Sequence, residues 1–591
     1  MRLSLLDWSI IFTHFLLAIV VVGLYIKRAS RGIDEFFAAG RVLPWWLLGT
    51  SMVATTFSTD TPNLVTNLVR ESGVAANWVW WAFLLTGMMT VFFYAKMWRR
   101  SGVLTDLEFY EIRYSGKSAA LVRGFRAIYL GFFFNCVIMA TVTLSAAKIA
   151  NILFGWSRLE TLIICSVSAV LFSATSGLWG VVVTDLFLFV MAMAGAVSAA
   201  YFSVQHPAVG GLGGLISGLR PGTLNLLPDF SQTETMMSIF LIPLAVLWWS
   251  VWYPGAEPGG GSYVAQRMLA ARDEKNSMAA ALWFNIAHYS LRPWPWIIVG
   301  LSSLLVYPNL SDIRSAFPHI SPDLIGHDIA YPAMLTFLPH GFRGIMVASL
   351  IAAYLSTMDT SLNWGSSYLV NDFYKRFIRS RAVPRHYVLI SRLTTLFLMM
   401  IAALVVLVLE TARDSFDLLL SIGAGTGLIY LLRWYWWRIN AWSEIAAMIS
   451  SFCVSIALFM ARKSGIELST YLMLALSVIF TTIVWIGITL LTRPTDPGTL
   501  TRFYRLVRPP GRGWTCIRER IKLAPSPDSL PQCFLGWILG CVMVYSALFF
   551  TGNLLYFRTG AAIACFVPFA ISGFGLYKLL PKIFRAGSGK Q

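Results

Sequence analysis

The chain has 591 residues, 57% of them hydrophobic, 14% aromatic and only 13% charged, with 23 Trp and 40 Phe. Soluble domains carry about 25% charged residues. Polar surface is therefore too scarce to cover the roughly four globular domains this length would otherwise predict. The same figures exclude disordered, collagen-like and disulfide-rich secreted chains, and leave an all-α polytopic membrane protein with the lipid bilayer as its first partner. The net charge of +18 marks cytoplasmic loops in such a chain, with no nucleic-acid partner implied. The seven cysteines are scattered, form no CxxC pair, and read as small core hydrophobes.

A helical span needs about 20 apolar residues. In chain order the candidates cover 6–27, 44–70, 77–98, 123–154, 159–177, 180–204, 233–253, 277–306, 341–370, 387–409, 414–433, 438–462, 467–492, 534–552 and 558–580. These are fifteen spans, with almost no loop near 177–180. The first is too long for a signal-peptide core and reads as retained. Arg and Lys concentrate at 27–41, 96–126, 371–386, 493–533 and in the C-terminal tail, whereas 205–232 and 307–340 carry only Arg220 and Arg314. With the N-terminus outside and the C-terminus cytoplasmic, every basic loop falls on the cytoplasmic side of a cell (plasma or inner) membrane. Segment 493–533 reads as a basic linker lying on anionic headgroups, with no chemistry of its own.

Polar groups at membrane depth are costly and mark function. In span two, seven of the dozen residues Ser51–Pro62 carry a hydroxyl or carboxyl. Pro62 removes a backbone donor and disfavours helix at Thr61. A helix broken there frees carbonyls beside a cavity or a cation; ordinary Ser/Thr packing is the alternative. Span six holds a lone Asp185, readable as a proton relay, a salt-bridge partner or a cation ligand. Span seven again combines helix breakers with aromatics, from Pro243 through Trp248, Trp249, Trp252 and Tyr253 to Pro254 and Pro258. Broken spans two and seven, five apart, stand in corresponding positions of two five-span halves, which is where transporters bind solute; an interfacial aromatic belt is the rival reading. In span nine, at about 100° per residue, Ser356, Asp359, Thr360, Asn363 and Ser367 share one face, with Thr357 at its margin. Hard oxygens on one stripe suit a small hard cation; a polar seam between helices is the alternative.

These residues resemble the sodium/solute symporter family, which includes the sodium/glucose, sodium/proline and sodium/sialic acid transporters. The resemblance covers most of residues 1–462 and rests on Ser51-x-x-Ala54 through Ser58, Thr184-Asp185, Gln266-Arg267, Ala353-x-x-Ser356-Thr357, Asn371-Asp372-Phe373-Tyr374 and Arg433–Arg438, taken in order. It implies a leucine-transporter-like inverted five-helix repeat with one extra N-terminal and about four extra C-terminal helices. The expected division is 1–43, 44–204 (first repeat), 205–232 (external loop), 233–433 (second repeat) and 434–591. The resemblance further implies one Na+ held by the carbonyls of Ala54, Phe57 and Ala353 and the hydroxyls of Ser356 and Thr357. Positions matching a second cation site in some relatives are Asp185, Ser356, Asp359 and Thr360. Asp359 departs from the hydroxyl those relatives have, and opens a choice between sodium and proton. Positions matching the solute site are Ser58, Asp60 and Thr61, Asn77 and Trp81, Asn135, and Trp249, Trp252 and Tyr253. Pro62 and the stretch Glu257–Gly261 depart from the family pattern. Arg292 reads as an anchor for an anionic solute, as the partner of an acid, or as a snorkelling cation.

The implied activity is sodium-coupled import of a small polar solute (a sugar, amino acid or organic acid). A proton-coupled symporter, a transporter-like sensor and a membrane-embedded transferase are the rivals. The seven histidines are dispersed and form no metal-spaced motif, and no signalling domain follows span fifteen. The solute and the oligomeric state are not written in the sequence.

Overall fold

The computed structural model describes residues 3–249, 257–318, 320, 325–408, 423, 425–466 and 468–586. It is helical throughout the described residues. Among the described residues ten helices are long and apolar enough to cross a membrane. The main elements are α1 (Leu5–Ala29), α2 (Trp45–Thr55), α3 (Asp60–Ser72), α4 (Val74–Ser101), α5 (Gly116–Phe154), α6 (Arg158–Val204), α7 (Thr233–Ala245), α8 (Ser262–Ala270), α9 (Glu274–Val306), α10 (Phe342–Ile378), α11 (Pro384–Val408), α12 (Ala441–Lys463), α13 (Thr470–Leu491), α14 (Pro497–Val507), α15 (Leu530–Leu555) and α16 (Thr559–Ala586).

The difference between fifteen candidate segments and ten uninterrupted helices has physical causes. Span two is broken into α2 and α3. Spans five and six are the two parts of α6, jointed at Gly177, whose φ of 56° and ψ of −164° lie outside the helical region. A Cβ at Gly177 would meet the Phe36 carbonyl at 2.8 Å, so glycine serves both the backbone angle and the close approach. Span eight runs through α9 and bends by 84° into a short following helix. Span seven is described only through α7 and the turn to Trp249, and half of span eleven lies outside the described residues.

Burial sorts these helices into centre and periphery. The most apolar stretch of α10 is 89% buried, against 17% for α16 and 18% for α1. An exposed apolar face suits lipid, whereas a buried helix with a polar stripe needs partners of its own. Helix α10 packs most extensively on α6 and also on α1, α2, α8 and α11. Helices α15 and α16 pair with each other, and α15 lies against α4 and α9.

The 493–533 segment differs from the linker the sequence predicts. It folds onto the protein: Leu500, Phe503, Tyr504, Val507 and Trp514 are buried. Trp514 stacks on Phe503 with ring centroids 5.3 Å apart, and its indole N–H donates to the Trp434 carbonyl at 2.8 Å. Basic residues of 96–126 are likewise not all in solvent, since Lys96, Arg113, Arg123 and Arg126 are buried. Arg123 pairs with Asp372 at 2.8 Å and Glu111 at 2.6 Å, and Lys96 with Asp528 at 2.6 Å. Arg126 pairs with Glu257, which also meets Arg433 at 3.3 Å. Desolvated guanidinium groups are stable where carboxylates surround them.

Candidate functional site

The break in span two is a four-residue interruption, Thr56–Thr59, between α2 and α3. Helix α2 ends as the N–H groups of Thr56 and Phe57 turn back to the carbonyls of Val53 (3.0 Å) and Ala54 (2.9 Å). Helix α3 begins at Asp60, so Pro62 sits in its first turn, where a missing N–H costs nothing. The interruption thus precedes Pro62 instead of centring on Thr61.

Helix α10 meets this break with its hydroxyls. The Thr357 hydroxyl lies 2.8 Å from the Thr55 carbonyl and 3.1 Å from that of Ala353. The Ser356 hydroxyl points to α6 and donates to Asp185 at 2.6 Å. Asp185 also accepts from Ser51 at 2.5 Å and faces Arg267 at 3.8 Å. The guanidinium of Arg267, fully buried on α8, donates in turn to Thr360 (2.7 Å), Ser51 (3.2 Å) and the Gln266 side-chain oxygen (2.9 Å). Thr360 lies 3.0 Å from the Thr55 hydroxyl, and Gln266 donates to Asn363 at 2.9 Å. The polar face of α10 is therefore satisfied by α2, α6 and α8. Two atoms are exceptions: the Oδ1 of Asp359, a residue 3% exposed, and the Nδ2 of Asn363 have no hydrogen-bond partner among the described residues. Among the described residues the Arg267 guanidinium forms its ion pair with Asp185 and not with Asp359.

A second feature opens beside the break. A cavity of about 150 Å³ is lined by Thr55, Thr56, Ser58, Asp60 and Thr61, by Val79, Trp80 and Phe83 of α4, and by Tyr263, His288 and Arg292, among others. A π-type bulge at Ala287–Leu291 widens the turn of α9 just before Pro293; it carries His288, and Arg292 follows it directly. Such bulges frequently occur at functional sites. Arg292 donates to the Thr56 hydroxyl at 2.6 Å and lies over the rings of Trp296 (4.8 Å) and Phe57 (5.1 Å).

Of the solute-site positions named from sequence, Ser58, Asp60 and Thr61 line this cavity. The others described do not. Asn77 is spent locally, donating to the Val74 carbonyl and accepting from the Trp80 indole, both at 2.9 Å. Trp81 is buried against Trp78 and Phe549. Asn135 donates to the Ser361 carbonyl at 2.8 Å and so ties α5 to α10. Trp249 packs on Trp248, and Trp252 and Tyr253 lie outside the described residues. Trp80, Phe83, Tyr263 and His288 line the cavity without having been singled out. Their only sequence signal is proximity to Trp81, Arg267 and Arg292.

A lipid-embedded helical bundle with an interrupted span, facing buried hydroxyls and a small cavity, defines a transport protein of the broken-helix class. The profile of the sodium:solute symporter family matches residues 36–451, and the chain belongs to that family. A sodium/glucose cotransporter of Vibrio parahaemolyticus is 24% identical over 479 residues, covering 78% of this chain and 85% of that protein. Sodium/glucose cotransporter 2 of Rattus norvegicus is 22% identical over 489 residues, covering 76% and 71%. Among solved structures, a substrate-bound, outward-open Na+-coupled sialic acid symporter superposes with a TM-score of 0.66 at 18% identity, covering 83% of this chain and 99% of that one. The fold is the leucine-transporter-like inverted repeat, with extra helices at both ends. The chain is a multi-pass membrane transporter, not an enzyme.

Proposed function

We propose that the protein imports a small polar solute together with sodium by alternating access. One Na+ sits between the span-two break and α10, among the carbonyls of Ala54, Phe57 and Ala353 and the hydroxyls of Ser356 and Thr357. The observation that carries this reading is the Thr357 hydroxyl 2.8 Å from a carbonyl at the end of the broken α2. A cation placed there would tie the two repeats together in one of the two transport states. Coupling follows only if sodium binds the two states unequally. Each Na+ moving inward gains about 2.3 kcal/mol per 100 mV of membrane potential. The relatives' names also point to sodium. The bias of basic residues supports an external N-terminus and a cytoplasmic C-terminus.

A second cation near Asp185, Asp359 and Thr360 is supported by the presence of two buried carboxylates, of which only Asp185 has an ion-pair partner among the described residues. Because Asp359 is a carboxylate and not a hydroxyl, a proton could take that place, which makes proton coupling the second reading. The test is uptake into proteoliposomes under a sodium gradient, with sodium replaced by choline and with Ser356→Ala and Thr357→Ala. Uptake should fall at least about tenfold in each case, the loss expected for about 1.4 kcal/mol of cation binding. Undiminished uptake in choline together with unaltered variants would overturn the site.

A further inference from the structure

We infer that the solute is a small zwitterion, a free amino acid or a betaine. Its carboxylate would be held by Arg292, and its cationic nitrogen by Asp60 with the rings of Trp80 and Phe83. This deepens the symport reading and rests on it.

Arg292 and Asp60 face one cavity with no direct contact between them. Arg292 is 1% exposed, and its Nε has no hydrogen-bond partner among the described residues. Its one described side-chain hydrogen bond goes to the neutral Thr56 hydroxyl. Asp60 lines the same cavity, with its Oδ1 buried and also without a partner. No ion pair within 4 Å joins the two, as one does between Arg267 and Asp185 at 3.8 Å. Holding desolvated charges apart is costly, and a molecule carrying both complementary charges removes that cost. The position of Asp60 in the first turn of α3 favours its ionised form through the helix dipole. The dipole does not account for a guanidinium in the same cavity.

Size and lining agree. An engineered cavity of this volume, about 150 Å³, holds a molecule the size of benzene, which suits an amino acid of few atoms and not a disaccharide or a sialic acid. A sugar presents hydroxyls around its whole rim and needs neutral partners on every side. Here Leu64, Val65, Val79 and Leu247 fill much of the wall. Trp80 spends its indole N–H on Asn77 at 2.9 Å, so what it offers the cavity is its ring. Ring faces attract ammonium groups, including quaternary ones.

The test is thermal stabilisation of the purified full-length protein in detergent, with 100 mM NaCl or choline chloride. The probes are proline, alanine and glycine betaine (zwitterions), lactate (carboxylate only), alaninol (ammonium only) and galactose. We expect at least one zwitterion to raise the melting temperature in sodium, and the other three probes not to. The same zwitterion should lose its effect at least tenfold in Arg292→Gln and in Asp60→Asn. Arg292→Lys, which keeps the charge, should retain part of it and guards against a folding defect in the Gln variant. Asp60→Asn should also bring the apparent affinity for lactate up to or above that for the zwitterion. Stabilisation by galactose or by a singly charged probe equal to that by any zwitterion would overturn the inference, as would no response to any zwitterion. Sodium alone reports on the symport reading separately. If sodium stabilises and only galactose binds, the zwitterion falls and symport stands. If sodium has no effect and uptake ignores it, the symport reading itself falls.

Discussion

Replacing Asp359 by Asn isolates the carboxylate that the buried site leaves without an ion-pair partner. The substitution keeps shape and removes one negative charge from a residue only 3% exposed, whose Oδ1 lacks a partner. Asp185 already has Arg267 at 3.8 Å and two hydroxyl donors, from Ser51 at 2.5 Å and Ser356 at 2.6 Å. Asp359 has no such partners, and an ionised carboxylate left unpaired there costs several kcal/mol. In salt-free choline buffer, Asp359→Asn should be more stable than the wild type by about 2 kcal/mol. The sodium response should shrink in the opposite sense. At 100 times its dissociation constant, a ligand stabilises by about 2.7 kcal/mol. If the variant binds 30-fold more weakly, the same sodium concentration gives only about 0.9 kcal/mol. The assay is apparent melting temperature against sodium concentration at fixed ionic strength, run at pH 6 and pH 8. Proton competition at Asp359 would make the wild-type sodium midpoint depend on pH and leave the variant's constant. Equal salt-free stability and an unchanged sodium midpoint would refute the unpaired-carboxylate reasoning.

Other substitutions probe the frame around the site. Gly365→Ala would drive a Cβ into the Asn135 side chain and to 2.8 Å from the Gly131 carbonyl. It should cost about 1–3 kcal/mol by forcing α5 from α10, seen as a lower melting temperature; an unchanged one would contradict the close approach. Arg113→Ala removes donors to the carbonyls of Arg433 (3.0 Å), Trp436 (3.0 Å) and Trp437 (3.2 Å) and a cation stacked over Trp514 at 4.8 Å. Trypsin should then cut at Arg502 and Arg505 about tenfold faster for each 1.4 kcal/mol lost. Equal cleavage rates would show that the segment docks without it. At the opposite end of the bundle, His327 accepts a hydrogen bond from Arg70 at 3.2 Å. Burial, and then the Arg70 guanidinium, hold its imidazole below the usual range, against the weaker pull of Glu71 and Asp328. The unfolded chain takes up this proton near pH 6.5 and the folded one resists it. The contribution is therefore present above that pH and lost as pH falls through it toward the lower folded value. Thermal stability should drop from pH 7 to pH 5 in the wild type and drop less in His327→Gln; identical profiles would refute the role.

The class of protein was legible because lipid leaves so little choice. Apolar runs long enough to span, and hydroxyls within them, follow from composition and order alone. The stripe on α10 was legible because helical periodicity places Ser356, Thr360 and Asn363 on one face wherever that face points. The cavity was less so. Asn77, Trp81 and Asn135 look suited to bind solute by type and position, yet Asn77 and Asn135 bond the backbone close by or across to α10. A linear pattern does not tell whether an amide faces a cavity or a neighbouring carbonyl. The docking of 493–533 was likewise hidden, because its basic charge resembles a headgroup-binding strip until Arg113 and Trp514 are seen stacked.

By itself the sequence determined the medium, the number of apolar segments, the interruption near Ser58 and the oxygen-rich face of α10, all of which depend on neighbours along the chain. Only the tertiary structure decided which charges meet. Arg267, Asp185 and Ser356 lie far apart in the chain and converge through the packing of α6, α8 and α10, and the same packing leaves Asp60 and Arg292 looking into one space without touching. Coulomb forces depend on distance in space, and sequence separation carries almost no information about it.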